Sequence, residues 1–216
     1  MNDSLAIDNF CFRPAESDRL TRWLFDHIRP ALNARIIDVC AGTGELAATV
    51  AHEGFQIHLN AANGEQQTFL QQKFKGMERV RQVHRIDFSL PDLEEEYKHF
   101  QARFRTVLAL SFTNPVFYKK PSLAKMGALL KEDGLLIVLL PSQTAVFPGF
   151  GYNLEDVRRA DFLFLVRHFE GFELLSVDYF ELSDEGAAPG YPAPGLYLIV
   201  GARKRPAVPP ASAPQP

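Results

Sequence analysis

The sequence predicts an α/β fold: a mostly parallel seven-stranded sheet, helices on both faces, and an antiparallel pair of strands at its end. Three observations carry this. Short apolar runs alternate with amphipathic or charged segments through most of the 216 residues, as in strands joined by crossover helices. Residues 36–47, IIDVCAGTGELA, pass from an apolar run through Asp38, Gly42 and Gly44 into an alanine-rich stretch, which reads as strand, tight turn and helix start. The last two apolar runs, 172–182 and 196–202, are separated by a glycine- and proline-rich loop (184–195) with no helical pattern, so they pair antiparallel.

The elements follow in order. Residues 1–14 form an irregular arm carrying Phe10 and Phe12. Residues 15–29 read as an amphipathic helix, with Leu20, Trp23, Leu24, His27 and Ile28 at helical spacing and Pro30 ending it. A strand at 36–39 leads through the glycine turn to a helix at 44–53, closed by Gly54. A second strand spans 55–59 and a helix 66–74, with Gly76 past its end. A third strand at 81–86 ends at Asp87 and Phe88. Residues 92–99, with three consecutive glutamates, read as a charged, exposed helix. A fourth strand (106–110) and a helix (120–130) come before the turn Lys131-Glu132-Asp133-Gly134. The fifth strand, 135–140, is wholly apolar and so belongs in the middle of the sheet, buried on both faces. A helix at 153–169 precedes the final pair. Residues 15–204 make one domain, and 205–216, rich in proline and alanine, read as a disordered tail.

Composition narrows the function. A net charge of −3 and a pI near 6.1 argue against an unspecific grip on nucleic acid. Cys11 and Cys40 are the two cysteines, without the spacing of a zinc site or disulfide framework, which points to a reducing, cytoplasmic setting. The longest apolar run is too short for a membrane span, and the first residues lack a secretory signal pattern. Eighteen phenylalanines favour an aromatic core or an apolar pocket.

Four stretches together resemble the class I S-adenosylmethionine-dependent methyltransferases, most nearly the small-molecule branch that includes the ubiquinone/menaquinone C-methyltransferases. They are IIDVCAGTGELA, HRIDFSLPDL (84–93), the gapless segment 104–142 with LLKEDGLLIV in place of the usual Leu-Lys-Pro-Gly-Gly turn, and GFELLSVDYF followed by GLYLIVGARK. The resemblance implies S-adenosylmethionine as cofactor and assigns roles. Asp38 would fix the amino end of its methionine part, and Cys40, Gly42 and Gly44 would form the turn beneath the methionine and ribose. Asp87 would accept from the adenine amino group with Phe88 flanking the ring, and Ser111 would lie near the methionine carboxylate. Two positions depart from the pattern. Cys40 replaces the first glycine of the turn. The acid that usually grips the ribose hydroxyls is missing from HLNAANGEQQ (58–67), where Asn63 is best placed, Asn60 is the alternative, and Glu65 sits two residues late. A neutral acceptor there costs about 1–2 kcal/mol.

Ligands of open α/β sheets bind beyond the carboxyl ends of the strands. This places the arm with Phe12, the segment with Asn114, Phe117 and Tyr118, and the loop with Phe147 and Tyr152 around an apolar or aromatic small-molecule substrate. Tyr118 is the first candidate for a general base and Tyr152 the second. The expected activity is methyl transfer to such a metabolite. The uncharged end of strand two supports an alternative: the fold turned to another use, as a non-methylating enzyme such as a cyclase or as a partner-binding pseudoenzyme. NPVF (114–117) is also similar to the Asn-Pro-Pro-Tyr motif of amino-group methyltransferases, with Val116 in place of the second proline.

Overall fold

The structure, a computed structural model, describes residues 14–90, 92–110, 120–142, 154–182 and 195–206. Helix α1 (Pro14–Ile28) runs into a 3-10 turn and is followed by β1 (Ile36–Asp38), α2 (Glu45–His52), β2 (Ile57–Asn60), α3 (Gly64–Lys73) and β3 (Val80–His84). A 3-10 segment (Glu95–Phe100) leads to β4 (Phe104–Ala109), α4 (Lys120–Leu129), β5 (Leu130–Pro141), α5 (Leu154–His168), β6 (Phe172–Leu182) and β7 (Gly195–Lys204). The strands form one sheet in the order β3-β2-β1-β4-β5-β7-β6. β3, β2, β1, β4 and β5 pair in parallel, and β7 runs antiparallel to both neighbours. The expected closing hairpin is present. Its second strand inserts beside β5, which leaves β6 at the sheet edge.

β5 shows why the sheet is buried on both faces. Leu136, Val138 and Leu140 pack into one core with Met126, Leu129 and Phe172, and Ile137 and Leu139 pack into the other with Ile36, Leu59 and Phe25. Alternation with a period of two sends successive side chains to opposite cores, so an unbroken apolar run is what this position requires.

Three elements differ from the sequence reading. Residues 92–99 do not form an α-helix; Glu95–Phe100 is a single 3-10 segment, ended by Gln101 and the left-handed Ala102 (φ 52°). The three-residue repeat of this segment turns Tyr97 and Phe100 together toward His84. β5 begins at Leu130, so the expected turn residues Lys131–Gly134 lie inside the strand, where Asp133 (φ 59°) marks an irregularity opposite β4. On α1, Leu24, Phe25 and Ile28 are buried, whereas Trp23 stays exposed and stacks on His27, whose Nε2 lies 3.5 Å from Asp178 on β6.

His58 on β2 and His84 on β3 lie side by side, Nδ1 to Nε2 at 3.1 Å, amid Phe100, Phe104 and Tyr97. Desolvation first, and then neighbouring positive charge (Arg81 for His58; His58 and His99 for His84), lowers each to about 4. Both rings are neutral at physiological pH. No described helix is long and apolar enough to cross a membrane.

Candidate functional site

The carboxyl ends of β1, β2 and β3 meet around one buried amide. Asn60, 4% exposed, accepts from the Ile86 N–H at 2.7 Å and donates from Nδ2 to the carbonyls of Ile86 (3.2 Å) and Val39 (3.4 Å). One side chain thereby joins three strand ends, with both amide hydrogens donated and its oxygen accepting within the fold.

Asp38 ends β1. Its carboxylate is 3% exposed and accepts from the Cys40 N–H at 3.0 Å, an Asx-type turn that starts the glycine loop. Burial raises its pKa to about 6 against the smaller, opposing effect of that hydrogen bond. The Cys40 thiol is pushed well above its ordinary value by burial and by the Asp38 charge, so it stays protonated and is not a nucleophile at neutral pH. The loop then needs two left-handed residues, Gly42 (φ 54°) and Gly44 (φ 82°). A side chain at Gly44 would collide with the Phe74 ring, whereas at Gly42 it would meet open space. Gly44 is also the N-cap of α2 and offers its first turn no side-chain cap, so that turn points bare amides at the loop.

Helix α3 holds the loop from the other side. Asn63 is its N-cap and accepts from the Gln66 N–H at 2.8 Å. Gln66 reaches back, accepting from the Ala62 N–H (2.6 Å) and donating to the Gly42 carbonyl (2.7 Å). Lys73 donates to the Thr43 carbonyl at 2.9 Å and pairs with Glu45. Gln66 and Lys73 were missed by the sequence reading. The signal for Gln66 was there: Asn63 and Gln66 have capping-box spacing.

On the β3 side, Asp87 is exposed and accepts from the Ser89 N–H at 2.8 Å; the Ser89 side chain first, and then this amide, hold its pKa below the usual value. Phe88 is turned into the core, its carbonyl accepting from Ser122 at 2.5 Å. Beneath them lies Lys125 of α4, wholly buried, donating to the Asp87 carbonyl and to Glu94 at 3.1 Å. Glu94 in turn accepts from the Asp87 N–H at 2.9 Å.

Asp38, Cys40, Gly42, Gly44, Asn63, Asp87 and Phe88 are thus brought to the ends of three adjacent strands, with the Asn63 oxygen engaged in its cap. Phe12, Ser111, Asn114, Phe117, Tyr118, Phe147 and Tyr152 lie outside the described residues. Among the described residues no cluster of histidine, cysteine and carboxylate side chains could hold a metal ion.

The strand order, the reversed β7 and the glycine turn after β1 define a Rossmann-like class I methyltransferase fold, and solved structures of such proteins match it. A SAM-dependent methyltransferase from Anabaena variabilis aligns with a TM-score of 0.63 at 13% identity, covering 88% of this chain and 86% of that one. The 1,6-didemethyltoxoflavin-N1-methyltransferase of Burkholderia thailandensis, solved with 1,6-didemethyltoxoflavin and S-adenosylhomocysteine, aligns at 0.53 and 20% identity, covering 94% and 80%. The cyclase SpnF aligns at 0.55 and 20%, covering 91% and 86%. At these identities the likeness is one of fold. No protein-family model and no curated protein matches the sequence.

Proposed function

We propose that the protein is an S-adenosylmethionine-dependent methyltransferase acting on a small apolar or aromatic metabolite. The observation that carries this reading is the buried Asp38 carboxylate beside an open glycine turn, at the strand ends of a class I fold. The residues present fit the cofactor. Asp38 offers a desolvated negative charge for its amino group, Gly42 leaves room above the turn, and exposed Asp87 offers an acceptor for the adenine amine. Bound there, the cofactor would supply an electrophilic methyl group on sulfonium. The chain's part is to hold and align: Gln66 and Lys73 fix the loop, and Asn60 fixes the strand ends. In this reading Ser111 lies near the methionine carboxylate, and Phe12, Asn114, Phe117 and Phe147 line the substrate, with Tyr118 and then Tyr152 as general-base candidates. Holding the acceptor in line with the methyl group is itself a large share of the catalysis. The sequence motifs, more than the structural likenesses, support the ubiquinone/menaquinone branch.

Isothermal titration of the full chain with S-adenosylhomocysteine tests the proposal. Binding is expected, weakened at least tenfold in Asp38→Ala, about 1.4 kcal/mol or more. It is also expected to fall as pH drops through about 6, where Asp38 takes up a proton and loses the charge that attracts an ammonium group. No binding at millimolar ligand would end this reading.

A second reading rests on the amides at the end of β2. Asn60 is buried and bonded to Val39 and Ile86, and Asn63 caps a helix, so neither brings a charge to a ribose. In that reading the fold serves a non-methylating reaction or a binding role. Asn63→Asp separates the two, because aspartate also caps a helix. Tighter binding, by about tenfold, supports a weakened cofactor site; no binding in either form supports the second reading.

A further inference from the structure

Helix α5 carries an apolar ridge that faces solvent. Phe162 is 58% exposed, Leu163 48% and Val166 56%, whereas Asp161, Leu165 and Phe169 are buried against the sheet. Single exposed leucines are ordinary; three large apolar side chains on two adjacent turns form a patch. Arg159, Leu163, Val166 and Glu170 follow one another at intervals of four, three and four along the helix and into the turn after it, so they lie in one line, and all four are exposed. Among the described residues neither Arg159 nor Glu170 has an ion-pair partner.

The order along this line is basic, apolar, apolar, acidic. A two-fold axis between Leu163 and Val166 maps the line onto its own complement: Arg159 meets Glu170 of a second copy, and Leu163 meets Val166. Laid parallel to itself, the line would set arginine on arginine and glutamate on glutamate. We propose that α5 is the interface of a homodimer, in which two antiparallel copies of the helix bury the Leu163–Val166 ridge and two Arg159–Glu170 pairs close its ends. This assignment is independent of the catalytic reading. One helix pair covers less than the ~800 Å² per partner of a stable interface, so the dimer is weak and reversible.

Sedimentation velocity of the full chain between about 1 and about 300 µM tests it. A monomer–dimer equilibrium is expected, with Leu163→Glu monomeric throughout. Arg159→Glu and Glu170→Arg should each weaken the dimer at least tenfold, since each reversal acts twice across the two-fold. The double variant R159E/E170R should recover to within about threefold of wild type, because it restores both pairs with their direction exchanged. All these positions are exposed, and circular dichroism with thermal melting confirms that each variant folds. A wild type that stays monomeric at the highest concentration, a dimer indifferent to Leu163→Glu, or a double variant without recovery would overturn the proposal.

Discussion

Gly42 and Gly44 sit two residues apart in one turn under different constraints. At Gly44 an added Cβ would lie 2.6 Å from Phe74 Cε2 and 3.1 Å from Leu70 Cδ2, in a backbone with φ of 82°. Gly44→Ala therefore combines left-handed strain with a clash in a packed core and should cost roughly 2–4 kcal/mol in urea unfolding. At Gly42, with φ 54° and open space, Gly42→Ala should cost about 1 kcal/mol. On the proposed function that added methyl occupies the cofactor's approach, so S-adenosylhomocysteine binding should be lost in a protein that still folds. Equal destabilisation of the two variants, or unimpaired binding by Gly42→Ala, would contradict this division. The glycine turn was legible because glycine pairs in such registers mark left-handed backbone. The work of Asn60 and Gln66 was not, because an amide gives no hint in sequence of the partners folding will bring: Val39 and Ile86 for one, Gly42 for the other.

Among elements, the connection from β3 to β4 depends most on a contact distant in sequence. Lys125 projects from α4 and holds the Asp87 carbonyl and the Glu94 carboxylate. Lys125→Met keeps length and apolar volume but removes the donor to both. It should cost about 1–3 kcal/mol, less than a fully buried ion pair because Glu94 keeps some access to water. Hydrogen exchange should also quicken at Asp87 and through Tyr97–Phe100; unchanged exchange there would mean that the connection holds without the lysine. The same segment reads in sequence as a charged, exposed helix and forms a shorter 3-10 segment, since a run of glutamates resembles a solvated helix face whatever turn the backbone takes. Strand β5 was placed correctly, though it starts earlier, at Leu130: Lys131–Gly134 has turn composition and stands unpaired between the Phe104–Leu130 and Thr106–Leu135 pairs, with Asp133 left-handed. Long apolar runs identify their own elements; short polar stretches take their shape from what they are packed against.

Across the whole molecule two buried systems pull stability in opposite directions with pH. Asp38, raised to about 6, makes the folded state bind a proton more tightly than the unfolded chain does, so its contribution declines as pH rises from about 4 to about 6. His58 and His84, lowered to about 4, contribute stability that is complete above 6.5 and is lost as pH falls toward 4. Two histidines outweigh one aspartate, so stability should rise across this window with a slope near one proton per molecule. His84→Phe should flatten the slope to about zero and Asp38→Asn steepen it to about two, as read by urea unfolding at stepped pH. A slope of the same sign and size in all three proteins would show that other groups govern the acid limb. The mostly parallel sheet with its antiparallel final pair, unlike these pairings, was readable in advance, since strands alternating with helices favour parallel crossovers; the strand order was not. The position of β7 within it has a consequence for how the chain is made. β5 and β7 pair with Val138 opposite Val200, so the ribosome releases the most apolar strand about sixty residues before its neighbour. At about 5–20 residues per second the nascent chain spends several seconds with that edge bare. A chain stalled before Gly195 leaves the edge open, a natural target for chaperones and a seed for aggregation.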